Sequence, residues 1–189
     1  MKKFIKHKLI EANSVNDKVN STEIIFEIEK IIKLASKSIL SGGKIIFCGN
    51  GGSASDSMHL AAELIGRFKK NRKPIPSVSL NSEISTITAI ANDFGYDEIF
   101  DRQLESIGKK KDFLIAISTS GKSKNIIKVL NKAKKMKIKS MLLTSENFKG
   151  NKKVANIIFK APTSDVARAQ EVHILIGHLL CEALENLTR

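Results

Sequence analysis

Lys44-Ile45-Ile46-Phe47-Cys48-Gly49-Asn50-Gly51-Gly52-Ser53 is the stretch on which the fold turns. A short apolar run ends in a glycine-rich turn, and a helical pattern opens directly behind it. A brief, continuous apolar run bounded by turn residues suits a strand buried on both faces, as in a parallel sheet covered by helices. The glycines permit a tight turn and let backbone amides approach a ligand at the positive end of the helix that follows. Upstream, Ile24, Ile28, Ile31, Ala35 and Ile39 follow the 4-3-4-4 spacing of one helix face, closed by Gly42-Gly43. Downstream the pattern predicts a helix over about 53–68, a strand near 77–80 and helical pieces over about 83–107. A strand at 113–117, a helix from about 123 to 136, strands at 140–143 and 156–159 and a long apolar helix from about 166 complete it. Strands that alternate with helices predict an α/β fold, a single doubly wound domain with a central parallel sheet flanked by helices. The domain is expected to span residues 1–189, with an extra helical N-terminal segment over 1–41 and the sheet-containing core over 44–189.

At 189 residues the chain is long enough to bury a two-faced core, and 42% hydrophobic against 27% charged residues excludes a disordered protein. The net charge of +13 raises the question of nucleic acid. The lysines, however, are spread over predicted loops and polar helix faces, and the chain has one Tyr and no Trp. No stretch interleaves aromatic and basic residues into a stacking platform, so the reading is a solvated lysine-rich surface with no nucleic-acid partner. Such a surface also draws in anionic small molecules. Met1-Lys2-Lys3 is basic but no apolar stretch follows it, and the longest apolar run is interrupted by His173 and His178, so no membrane association is expected. Cys48 and Cys181 lie far apart in apolar segments and read as reduced, packed thiols of a cytoplasmic protein.

In doubly wound sheets ligands bind outside the carboxyl ends of the strands, where the strand order reverses. The two most unusual loops follow strands at that end. Gly49 to Ala54 satisfies the G-x-G-x-x-A pattern of dinucleotide sites, but the acidic residue expected after the next strand is missing, and Asn81 stands there. What remains is an anion-type junction of strand, glycine turn and helix. The second loop is Ser118-Thr119-Ser120-Gly121-Lys122-Ser123. Gly121-Lys122-Ser123 imitates the end of a P-loop, yet Ala116 occupies the earlier glycine position. Four hydroxyls within six residues at a helix start make a cradle for a phosphate monoester, where a plain helix cap needs only one. His59 and Glu63, four apart, share one helix face, while Gln170 and His178 lie on the last helix. His7 and His173 belong to no such arrangement and read as ordinary structural histidines.

These motifs, with Met58-His59-x-x-x-Glu63, Ala91-Asn92-Asp93-Phe94-Gly95 and Arg168-Ala169-Gln170-Glu171-Val172-His173 through His178, resemble the phosphoheptose isomerases of the sugar isomerase (SIS) domain group. The resemblance runs through nearly the whole chain, in order and at family spacing. It implies conversion of sedoheptulose 7-phosphate to glycero-manno-heptose 7-phosphate for lipopolysaccharide, by a homotetramer with sites at subunit interfaces. It further implies that Ser118, Thr119, Ser120 and Ser123 hold the phosphate and that Asn50, Gly51, Gly52, Ser53, Asn92, Asp93, Glu63 and Gln170 face the sugar. His59, Glu63, Gln170 and His178 match the family's zinc positions, one Zn2+ per subunit, and Glu63 and His178 its acid–base pair. Ala167 stands where some members have an acidic residue. A non-catalytic SIS adaptor that binds the replication initiator protein is the alternative. That relative lacks the Glu and the last His, both present here.

The residue types agree with such chemistry. Moving a carbonyl between C2 and C1 requires a base to take a proton from one carbon and return it to its neighbour, and an acid to protonate the oxygen. Glu63 and His178 are the types that do this. A metal could organise the site or act as a Lewis acid. Gln170 and His178 are eight residues apart, about 12 Å along a regular helix. Either the helix begins after Gln170, or the side chains bend, or the ligands come from different subunits. The apolar residues Val172, Ile174, Leu175, Ile176, Leu179 and Leu180 are enough to face both the sheet and a second helix. The last helix is therefore expected in a subunit interface.

Overall fold

The computed structural model describes residues 1–187; residues 188 and 189, the end of the expected domain, lie outside the described residues. The N-terminal segment is two helices, α1 (Lys2–Val19) and α2 (Thr22–Leu40), not one. Ser21 makes the break: it is the N-cap of α2, and its hydroxyl accepts a bond from the Ile24 N–H. α1 buries only Val15 and Val19, so it carries little apolar periodicity to read.

Among the described residues five strands follow, β1 (Ile45–Gly49), β2 (Ser77–Ser79), β3 (Phe113–Ile117), β4 (Lys139–Ser145) and β5 (Ile157–Ala161). They pair in parallel in the order β2-β1-β3-β4-β5. Between them run α3 (Gly52–Ile65), α4 (Ile84–Phe94), a 3-10 turn (Tyr96–Glu98), α5 (Ile99–Ile107) and α6 (Lys124–Lys135); α7 (Val166–Leu187) closes the chain. Alternate strand residues face opposite layers. Phe47, Ile115, Met141, Leu143 and Phe159 pack with α2, α3 and α7, while Ile46, Cys48, Leu114, Ala116 and Leu142 pack with α5 and α6. With both faces covered, β1 and β3 are buried throughout, which is why they read as uninterrupted apolar runs. Both cysteines are free and buried; burial pushes the Cys48 thiol up, and Cys181 up to about 12. Among the described residues no helix is long and apolar enough to cross a membrane.

α3 and α7 pack side by side through Gly177, where an added Cβ would stand 2.5 Å from both terminal carbons of the fully buried Leu60. Gly177→Ala is therefore expected to overpack this seam by about 1–3 kcal/mol. At roughly 2–4 °C per kcal/mol for a chain of this size, thermal melting should show the loss.

Candidate active site

The strand order reverses between β1 and β3, and their last residues, Gly49 and Ile117, are register partners. Both unusual loops thus leave the sheet side by side at the switch point. In the first, Gly51 has φ +57°, a conformation that favours glycine, and Gly52 begins α3. Asn81, the residue that breaks the dinucleotide pattern, has a structural task. Its amide accepts from Gly49 N–H (3.0 Å) and donates to Gly49 C=O (2.9 Å), pinning the turn. Asn50 is held from the second loop's helix: its amide and that of buried Asn125 exchange two bonds of 2.9 Å. The Tyr96 hydroxyl also donates to Asn50 Oδ1 (3.1 Å). The Asn50–Asn125 pair ties the two loops together across the switch point.

In the second loop Ser118 is buried, and its Oγ accepts from Gly121 N–H (3.2 Å) and lies 3.5 Å from Ser123 Oγ. Ser120 is exposed, and its Oγ accepts from Lys122 N–H (3.2 Å). Ser123 occupies the N-cap position of α6, yet its side chain makes no capping bond. The hydroxyl is thus not spent on the plain capping role that a serine there normally fills.

α3 carries His59 and Glu63 toward α7. His59 Nε2 lies 3.0 Å from His178 Nε2 and 3.4 Å from Glu63 Oε1. One ligand atom from each of the three falls within 4.8 Å of the others, a group able to hold a metal ion. All three belong to one chain, which removes the possibility that Glu63 meets only a neighbour's His178. Phe68 stacks on the His178 ring with centroids 5.6 Å apart, and His59 meets that ring edge-on at 5.2 Å. His59 and Glu63 keep side-chain exposures of 49% and 23%, so the group is open to a ligand.

The remaining expected residues are placed differently. α7 is continuous from Val166, so the last helix does not begin after Gln170. The Gln170 amide packs directly on Gly52, at the glycine-loop end of α3. Ser53 is buried in the first turn of α3. Asn92 and Asp93 are exposed at the end of α4 and bonded to each other (2.9 Å), and Asp93 lines a hollow of about 530 Å³ between α4 and α5.

Other participants had no sequence signal. The Arg72 guanidinium donates to the carbonyls of Glu63 (2.8 Å), Leu64 (2.8 Å) and Gly66 (3.1 Å), closing the end of α3. It also pairs with Glu185 of α7 at 3.3 Å, with both side chains buried. Burial pushes the Glu185 carboxyl up, but the N–H groups of Lys70 and Lys69 and the Arg72 charge outweigh it, and the net shift is downward. Asp56, one turn before His59, has a buried Oδ2 without a hydrogen-bond partner. Burial raises its pKa above the ordinary value against the opposing pull of His59 and His178.

Comparison with known proteins agrees with this geometry. Residues 11–145 match the model of the SIS domain. The chain is 46% identical over 159 residues to a phosphoheptose isomerase of Helicobacter pylori, covering 84% of this chain and 83% of that one. It is 42% identical over 187 residues to the phosphoheptose isomerase of Sulfurimonas denitrificans, covering 98% and 96%. The solved phosphoheptose isomerase of Neisseria gonorrhoeae superposes with a TM-score of 0.88 at 30% identity over 98% of both chains. With two loops meeting at the switch point and a His-Glu-His group built from α3 and α7, the chain belongs to the phosphoheptose isomerase family of SIS-domain proteins and is a sugar-phosphate isomerase.

Proposed function

We propose that this enzyme interconverts sedoheptulose 7-phosphate and glycero-manno-heptose 7-phosphate through an enediol, in the cytoplasm, as a source of heptose for lipopolysaccharide. One observation carries the reading: a carboxylate and an imidazole, Glu63 and His178, converge in one chain at α3, the helix that opens from the first switch-point loop. The relatives that share this chain's length carry the same activity in their names.

Ser118, Thr119, Ser120 and Ser123 hold the phosphate, while Asn50, Gly51, Gly52, Ser53, Asn92, Asp93 and Gln170 face the sugar. The Glu63 carboxylate takes the proton from C1 of the ketose as the C2 oxygen gains a proton from His178. The enediol then loses its O1 proton to His178, and Glu63 returns the first proton to C2, giving the aldose. No atom is gained or lost, and both groups end as they began.

Of His59, Glu63, His178 and Gln170, the first three are the residues that would hold one zinc ion per subunit, while Gln170 packs on Gly52, about two turns of α3 from His59, and stands apart from them. The fit is good for the first three. Two imidazole nitrogens and a carboxylate suit zinc, and donors about 3.3 Å apart are what bonds of about 2.0–2.1 Å in a tetrahedron require, beside the observed 3.0 and 3.4 Å. When bound, zinc supplies positive charge beside the enediol oxygens and fixes the three side chains.

A homotetramer is part of the same reading. The first ten residues of the chain are exposed and include Phe4, Ile5, Leu9 and Ile10, and α2 exposes Ile25 and Phe26. On α7, Val172, Ile176 and Leu180 are buried, whereas Leu175 and Leu179 remain 37% and 40% exposed. Apolar helix faces of this extent suit subunit contacts.

The test is NMR of the purified protein with sedoheptulose 7-phosphate, before and after chelation. Heptose 7-phosphate should form, stop forming with chelator and return with zinc. If another ketose phosphate is isomerised and sedoheptulose 7-phosphate is not, the substrate assignment is wrong.

A further inference from the structure

We propose that His173 and Thr144 are positioning residues that set the phosphate-binding shape of the Ser118–Ser123 loop from behind. This rests on the reading of that loop as the phosphate site. His173 is fully buried on α7, and its Nε2 lies 3.0 Å from the carbonyl oxygen of Thr144 near the end of β4. A carbonyl only accepts, so the proton is assigned to Nε2 and Nδ1 keeps a lone pair. Nδ1 is buried without a hydrogen-bond partner. Burial also holds the imidazole below its ordinary pKa, which keeps it in this neutral form.

Thr144 passes the constraint on. It too is fully buried, and its hydroxyl donates to the carbonyl oxygen of Thr119 (3.1 Å), which also accepts from Ser145 N–H (3.0 Å). The same Thr144 oxygen stands 3.0 Å from the place a Cβ would take on Gly121, so it underlies the loop at a second point. Within one trans peptide the C=O and the following N–H point in opposite directions. Two donors drawing the Thr119 oxygen back toward β4 therefore turn the Ser120 N–H outward. That is the direction in which an exposed anion would meet it, beside the hydroxyls of Ser120 and Ser123. A histidine that merely filled the core would have no line of bonds to this loop. His173 is two bonded contacts from the peptide that must face the phosphate.

The experiment compares Thr144→Val, His173→Leu and His173→Gln with Ser120→Ala/Ser123→Ala in the full-length enzyme. KM and kcat for the sugar phosphate, the inhibition constant of inorganic phosphate and the melting temperature are read for each. Loss of one neutral hydrogen bond from the relay should raise KM and the phosphate inhibition constant together by about three- to tenfold, with kcat within about twofold. His173→Gln, whose terminal N–H can stand near the place of Nε2, should recover most of the loss. Thr144→Val is nearly isosteric and carries the test if His173→Leu does not fold. If Thr144→Val and His173→Leu melt earlier but bind phosphate normally, the inference is overturned, although the phosphate site stands when Ser120→Ala/Ser123→Ala weakens binding. If that double variant also binds phosphate normally, the phosphate reading of the loop falls and the inference with it.

Discussion

Glu63→Gln is expected to lower kcat by about 10²-fold or more while leaving the fold and the melting temperature nearly unchanged. The amide keeps the shape of the side chain but cannot accept a proton, and a positioned base typically contributes 10²–10⁴-fold. The fold should tolerate the change because the bond Glu63 gives the scaffold is through its backbone: Arg72 binds its carbonyl, not its carboxylate. Its side chain meets His59 Nε2 at 3.4 Å in an open site, where a neutral amide is not left buried without a partner. The expected signature is a large fall in kcat with a modest change in KM, in steady-state kinetics beside a melting curve. Near-normal turnover would remove Glu63 from the proton transfer.

Ser120→Ala combined with Ser123→Ala should act mainly on KM. The two hydroxyls bind a group remote from the reacting carbons, so their loss weakens ground state and transition state alike. A hydrogen bond to a charged group is worth about 1.5–3 kcal/mol, so the double variant, which loses two, should bind roughly 150-fold more weakly or worse. Its fold should survive, because Ser123 caps nothing with its side chain and Ser120 is exposed. Isothermal calorimetry with the sugar phosphate reads this directly. Unchanged affinity would place the phosphate elsewhere.

The sheet was legible because burial on both faces leaves β1 and β3 without a polar residue, and the phase of α2 was legible because one face of it packs on the core. The division of the first segment into α1 and α2 was not, since a helix that buries two valines has almost no periodic signal. The loops declared themselves through composition: glycines where φ turns positive at Gly51, and hydroxyls crowded before α6. What no local pattern encodes is the tie between distant segments. Asn125 gains its meaning only when β1 and β3 become neighbours, and Arg72 only when the end of α3 meets α7. His173 was read as an ordinary structural histidine because its contact with Thr144 spans 29 positions of sequence. The eight-residue gap between Gln170 and His178 was legible as a conflict; the structure places Gln170 at Gly52 and His178 at His59 along the same face of α3.

The most direct test of an enediol shuttle through Glu63 is turnover of sedoheptulose 7-phosphate in D2O, followed by NMR at C2 of the heptose product. Glu63 is partly exposed, so the proton it carries should exchange with solvent between abstraction and return. The expected result is deuterium at C2 of the product formed by the native enzyme, and product formation slowed by about 10²-fold or more with Glu63→Gln. Full turnover with protium retained at C2, undiminished in Glu63→Gln, would contradict it.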